Sequence, residues 1–256
     1  MAEEKQVNYT IGETVELPSH GLIYDKKLNP NIELRSMTAR DEMKRLNPSS
    51  TQFKALAEII EGCCIEKPAI PVYDMAIGDY EFLLHKLRIV TYGDHYSISV
   101  KCPYCGKPID TVAHLESLLV KDVDIDKWNE ARTVSLPVSG HIVTLNYQTP
   151  RMLDENDVKA KELKRKYRSA EIEFDLLVIL LSIIDTVDGE KLDQSKLETF
   201  INKLPAKDMR KIINQEDKLN AMIGLVNDLV VDCPNCGGEV HTSFRYGQEF
   251  FGPADI

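Results

Sequence analysis

Apolar residues recur at helical spacing in several stretches of the chain and alternate in others. Phe53, Leu56, Ala57, Ile60 and Cys64 fall on one face of a helix over residues 51–64. Phe82, Leu83, Leu87 and Val90 make the stripe of a second helix over residues 79–90, with Gly93 placed where the chain must turn out of it. Upstream the pattern is short and extended. It predicts a strand near residues 14–17, a turn at Pro18-Ser19-His20-Gly21, an apolar patch at Leu22-Ile23-Tyr24 and an alternating strand over residues 31–35. Thr38 then precedes a helix with Asp41 and Glu42 in its first turn, where negative charge suits the helix dipole, and Asn47-Pro48 ends it.

Beyond residue 120 the pattern changes. Two alternating segments, residues 133–138 and 141–147, flank Ser139-Gly140 and predict a hairpin. Residues 153–186 read as one long helix, charged in its first half and apolar in its second, so Leu176, Leu177, Leu180 and Ile184 are expected to be buried. Further helices are expected over residues 194–203 and 205–229, the latter opening on a proline suited to a first turn. The fold class is α+β. Its expected division is a mixed N-terminal region (1–95), a discontinuous ribbon (96–120 and 228–256), a hairpin linker (121–150) and an inserted helical subdomain (151–227) packed on the ribbon.

Composition narrows the classes of function. At 256 residues and 43% hydrophobic content the chain can bury a sizeable core. The longest apolar run, residues 174–184, is far shorter than the roughly 20 residues a membrane span needs, so no membrane role is expected. The polar, acidic start Met1-Ala2-Glu3-Glu4-Lys5-Gln6 has no signal-peptide or transit-peptide character, which places the protein in the compartment where it is made. A net charge of −10 repels a nucleic-acid backbone. The densest basic cluster, Lys159, Lys161, Lys164, Arg165, Lys166 and Arg168, alternates with Glu155, Asp157, Glu162, Glu171 and Glu173, which reads as an ion-paired helix surface.

Four of the six cysteines carry the chemistry. Lys101-Cys102-Pro103-Tyr104-Cys105-Gly106 and Asp232-Cys233-Pro234-Asn235-Cys236-Gly237 share the pattern Cys-Pro-X-Cys-Gly, each between strand-like segments. Two intervening residues let one tight turn aim both thiolates at a common point, and the glycine permits a positive φ. Cys102, Cys105, Cys233 and Cys236 are therefore predicted to bind one structural Zn2+ in a zinc ribbon; an iron–sulfur cluster is the alternative for the same ligands. A thioredoxin-like redox site needs a helix after the motif, where glycine and extended sequence stand instead. Catalytic zinc needs an open coordination position, which four cysteines do not leave.

The remaining candidates read as structural. Cys63 and Cys64 are adjacent, without ligand-like spacing, and suit small core residues. His85 and His95 have no partner at ligand spacing; His114 and His241 lie near the knuckles, where each is expected either to hydrogen-bond a ligand cysteine or to be an exposed strand residue. There is no phosphate-binding glycine loop, no Gly-X-Ser-X-Gly elbow and no carboxylate pair with a supporting metal motif, so no catalytic residues and no small-molecule substrate are expected.

Several motifs in order along the chain carry a resemblance. Glu16-Leu17-Pro18-Ser19-His20-Gly21-Leu22-Ile23-Tyr24, then Gly78-Asp79-Tyr80-Glu81-Phe82-Leu83-Leu84 running into Arg88-Ile89-Val90-Thr91-Tyr92-Gly93, the Cys-Pro-X-Cys-Gly knuckle and the ending Phe250-Phe251-Gly252-Pro253 resemble the T4-type phage baseplate hub assembly proteins. The resemblance covers most of residues 14–120 and the last thirty or so. It implies a non-enzymatic role, as hub component or assembly factor of a contractile tail, with other baseplate hub or tail proteins as partners. It also implies residence in the host cytoplasm during assembly or in the virion baseplate. The competing classes are a nucleic-acid-binding zinc ribbon of a transcription or replication complex and a zinc-stabilised enzyme. Leu17, Leu22 and Tyr24 near one end and Tyr246, Phe250 and Phe251 near the other are the candidate partner contacts, the alternative being that they pack back on their own domain.

Overall fold

The computed structural model describes residues 12–47, 49, 51–167, 173–243 and 248–251. Strand β1 (Gly12–Glu16) pairs antiparallel with β2 (Asn31–Arg35), and their alternation turns Val15, Ile32 and Leu34 inward. Thr38 starts helix α1 (Ala39–Arg45) with a reciprocal cap: the Asp41 amide donates to the Thr38 hydroxyl while the Thr38 amide donates to the Asp41 carboxylate. Helix α2 (Gln52–Cys63) has no side-chain cap of its own at Thr51. Asp154, far along the chain, takes that part by accepting from the Phe53 and Lys54 amides and from the Tyr73 hydroxyl.

Helix α3 (Ile77–Tyr92) is the spine. Asp79, Tyr80, Leu83, Leu84, Leu87 and Arg88 are all buried, so the helix is enclosed nearly all round. At its start the Ser19 amide (3.0 Å), the Ser19 hydroxyl and the Tyr24 hydroxyl (2.6 Å) donate to the Asp79 carboxylate, and the Ala76 amide donates to the Tyr24 oxygen at 3.0 Å. The turn predicted at residues 18–21 is thereby docked on the helix, with Gly21 at φ +70° against the Leu28 carbonyl, which a Cβ would meet at 2.6 Å. At the other end of α3 the Arg88 guanidinium donates to the carbonyls of Gly93, His95 and Phe250.

The chain leaves α3 into a hairpin of β3 (His95–Lys101) and β4 (Pro108–His114). There follow β5 (Val120–Lys121), α4 (Ile125–Ala131), β6 (Thr133–Ser135), β7 (Ile142–Leu145), α5 (Pro150–Lys166), α6 (Phe174–Ile183), β8 (Ile184–Val187), α7 (Gln194–Lys203), α8 (Ala206–Asn220), β9 (Gly224–Leu225), β10 (Asp228–Asp232) and β11 (Glu239–Ser243). Helices and small antiparallel sheets mix as an α+β fold. One apolar core runs from Val15 to Phe251 through α2, α3, α6 and the β6–β7–β8 sheet, while the hairpins β3–β4 and β10–β11 share a small cluster of their own. Among the described residues no helix is long and apolar enough to cross a membrane.

Two predicted helices end early. Residues 153–186 divide into α5, α6 and strand β8, which adds to the hairpin as a third strand with Val187 opposite Val143. An apolar run that lacks clear periodicity does not separate helix from strand, and the β-branched Ile184, Thr186 and Val187 suit the sheet. Leu180 and Ile184 are buried as expected; Leu176 and Leu177 are only half-buried. Helix α8 stops at Asn220 because the chain must cross α3: Gly224, at φ +106°, lies against Gly78, and a Cβ there would meet the Gly78 Cα at 2.9 Å.

Two outcomes follow for stability. Burial alone would raise the Asp41 carboxyl, but the Arg35 guanidinium at 2.8 Å and the Thr38 amide and hydroxyl outweigh it and lower it from 3.8 to about 2. A group whose folded pKa is depressed stabilises above its unfolded pKa and loses that contribution as pH falls through the folded one. Asp41→Asn is expected to cost about 2 kcal/mol at neutral pH, a deficit that shrinks toward zero between about pH 4 and pH 2 in urea titrations. Phe250 is fully buried against Tyr96 and His85, so Phe250→Ala is expected to lower unfolding free energy by about 3–5 kcal/mol in the same assay.

Candidate metal centre

Each Cys-Pro-X-Cys-Gly motif forms the tip of a hairpin. In the first, the Cys102 amide donates to the Lys107 carbonyl (2.9 Å) and the Gly106 amide to the Cys102 carbonyl (2.9 Å). In the second, the Cys233 amide donates to the Gly238 carbonyl (3.0 Å) and the Gly237 amide to the Cys233 carbonyl (2.8 Å). Gly106 and Gly237 sit at φ +73° and +70°, the left-handed turn the motif requires. The two tips are thus one structure built twice. Val100, Cys102 and Ile109 match Val231, Cys233 and Val240 position for position, and these six form the small cluster beneath the sulfurs.

The tips face each other. Tyr104 of the first lies across Gly238 of the second so closely that a Cβ there would meet its ring at 2.6 Å, and Lys107 Nζ is 3.3 Å from Asn235 Oδ1. All four sulfurs lie within 4.8 Å of one another, with Cys102 Sγ and Cys236 Sγ 3.7 Å apart and Cys105 Sγ and Cys233 Sγ also 3.7 Å apart. A tetrahedral ion with metal–sulfur bonds of ~2.3 Å has edges of ~3.8 Å, so the quartet has the size of one coordination shell.

The crowded sulfurs perturb one another. Burial raises the Cys233 thiol, but the amides of Asn235 and Cys236 aimed at its sulfur outweigh this and lower it to about 6. The Gly238 amide favours the Cys236 thiolate, yet burial and the other three sulfurs push that group up to about 12. Thiols crowded together resist ionising as a set until a positive ion sits among them. Strands β4 and β11, not helices, follow the two motifs, which removes the helix N-terminus a dithiol redox site uses.

The other sequence candidates are spread through the fold. Burial drives the Cys63 and Cys64 thiols up to about 11 and about 12, which keeps them protonated as core residues. His85 is buried, with Nε2 2.8 Å from the Leu115 carbonyl, and burial lowers it to about 4. His241 is an exposed strand residue opposite Val230, and His114 stands at the far end of its hairpin from the cysteines, so neither supports the sulfurs. Within the basic cluster, Lys161 pairs with Asp157 (2.6 Å) and Lys164 with Glu173 (3.3 Å) and Asp175, while Arg168 and Glu171 lie outside the described residues.

Of the candidate contact residues, Leu17, Tyr24, Phe250 and Phe251 are buried in the chain's own core, Leu22 is 56% exposed, and Tyr246 lies outside the described residues. Short terminal segments read as unsatisfied from sequence because the groups that cover them, Asp79 for Tyr24 and Arg88 for Phe250, come from distant α3. Sequence reasoning also missed the approach of His95 to His114, which the hairpin register makes cross-strand partners. Counting back from Cys102 and forward from Cys105 would have paired them.

No curated protein and no solved structure matches the chain. A family model described as T4 bacteriophage base plate protein matches residues 11–252, a span that holds both cysteine tips, helix α3 and the buried Phe250–Phe251 pair. The chain belongs to the T4 bacteriophage base plate protein family.

Proposed function

We propose that this protein is a non-enzymatic component or assembly factor of the baseplate hub, acting through contacts with other hub or tail proteins and stabilised by one structural zinc ion. The observation that carries the reading is the family match over residues 11–252. The chemistry agrees with it: around one ion the four cysteines would close a tetrahedron and leave no position for substrate or water. Zinc is favoured over an iron–sulfur cluster because paired knuckles on hairpins are the setting of structural zinc. In this reading the two hairpins form a zinc ribbon, and the protein is made in the host cytoplasm before joining the tail.

The ribbon's own apolar cluster is small, so the ion supplies most of the ribbon's cohesion, on the order of 10 kcal/mol for a thiolate site coupled to folding. Elemental analysis of the purified chain is expected to find one zinc per molecule. Cys105→Ser or a strong chelator is expected to remove it and to expose the amides of β3, β4, β10 and β11 to hydrogen exchange, while the α3 core stays protected. Iron in place of zinc, or a ribbon indifferent to chelation, would refute the metal assignment.

The contact surface is expected where apolar side chains remain exposed, at Leu22 beside the docked turn and at Tyr104 on the first tip, 56% and 70% exposed. Leu22→Asp is expected to leave fold and zinc content unchanged and to reduce recovery of tail proteins with the tagged chain from infected cells by at least about tenfold. Unchanged recovery removes Leu22 from the contact. Saturable, salt-sensitive nucleic-acid binding with no tail partner would instead favour the competing zinc-ribbon class.

A further inference from the structure

The sulfurs occupy one end of hairpin β3–β4, and the opposite end gathers a second set of metal-ligating groups. His95 and His114 are its outermost cross-strand partners, with rings edge to face and centroids 4.8 Å apart. Asp94 immediately precedes β3, and its Oδ2 lies 2.8 Å from His114 Nδ1. Donor atoms of Asp94, His95 and His114 all lie within 4.8 Å of one another. Both imidazoles are exposed and the carboxylate is half-buried, so an ion reaches the group directly from solvent.

The surrounding backbone holds these groups in place. The buried Arg88 guanidinium donates to the carbonyls of Gly93 (3.2 Å) and His95 (3.4 Å), which fixes the chain on both sides of Asp94. The Leu115 amide donates to the Asp94 carbonyl (3.0 Å), and the Glu116 amide donates to Asp94 Oδ1 (2.6 Å), leaving Oδ2 turned toward His114. Hydrogen bonds of this kind orient a first ligand shell.

An ion pair joins Asp94 to His114, and the hairpin register sets the His95 ring beside them, so three ligand-type groups converge at one point. Two imidazoles in edge contact repel when both are protonated, whereas as neutral ligands they share one cation. Adjacent positions around an octahedral ion with ~2.1 Å bonds are ~3 Å apart, close to the observed carboxylate–imidazole separation, and rotation of the exposed His95 side chain brings in the third donor. Two nitrogens and a carboxylate oxygen suit a borderline divalent ion. We propose that Asp94, His95 and His114 form a second metal site, taking Zn2+ or Ni2+ with three protein ligands and water in the remaining positions. The sulfur quartet would hold its ion in a closed shell; this one is open and exchangeable, and the hairpin is clamped at both ends.

The test is titration of the full chain, its tightly held metal first measured, with Ni2+ by calorimetry and with Zn2+ by nitrogen NMR of the imidazole rings. One additional saturable equivalent is expected, with the His95 and His114 ring nitrogens shifting together. The double variant His95→Ala/His114→Ala is expected to lose at least about tenfold in affinity for that equivalent while keeping the cysteine-bound ion. Absence of a second equivalent, an affinity unchanged in the double variant, or shifts confined to His20, His141 or His241 would overturn the proposal. Should the double variant fail to fold, the wild-type ring shifts decide alone.

Discussion

A buried acid near the start of α3 and a buried base near its end tie the rest of the chain to that helix. Asp79 and Arg88 are both fully enclosed, and neither meets an opposite charge in the hydrogen bonds they make. Burial raises the Asp79 carboxyl, and donors from Ser19 and Tyr24 work against that rise. Arg88 is satisfied by carbonyl oxygens, with the rings of Tyr92 and Tyr96 over its face at 4.9 and 5.8 Å. A buried polar group left without partners costs several kcal/mol, so each of these side chains enforces the arrangement of whatever satisfies it. Asp79 fixes the N-terminal turn; Arg88 fixes the root of the first hairpin and the final phenylalanine pair.

Cohesion therefore has two sources. Around α3 the core is large enough to stand on apolar burial, with its charged groups internally satisfied. Among the described residues the paired hairpins have four buried side chains in their cluster, two of them cysteines, and two-stranded hairpins of that size are marginal in water. The sulfur quartet at the tips and Arg88 at the root are two constraints on them. The quartet would act as a constraint by holding an ion, whereas Arg88 acts through hydrogen bonds to backbone carbonyls.

What could be read from the sequence follows this division. Local signals gave α1 with its Thr38 cap, α2, α3 and α7 nearly to the residue, because periodicity and capping are encoded within one turn of each helix. The cysteine quartet was equally plain, since a repeated six-residue pattern specifies a repeated turn. Strand β8 and the early stop of α8 were not legible, because Val187 against Val143 and Gly224 against Gly78 are tertiary choices. The same holds for Asp154, whose capping of α2 joins residues a hundred positions apart. For Tyr24 and Phe250 the sequence left open whether they contact a partner or pack back on their own domain, because the groups that meet them, Asp79 and Arg88, lie on α3 at spacings that carry no signal.

The burial of Phe250 and Phe251 also bears on where the proposed contacts would form. Phe250 and Phe251 fill the root of the hairpin, whereas Leu22 and Tyr104 are among the apolar side chains the fold leaves outside, where the proposed contacts would form. These two residues lie on the two units with different sources of cohesion: Leu22 follows the turn anchored by Asp79, and Tyr104 rests on Gly238 at the paired tips. A partner touching the first would meet a surface set by the apolar core, whereas a partner touching the second would meet one set by the paired tips. A contact at the tip would depend on how the sulfurs are held together, and a contact at the turn would not.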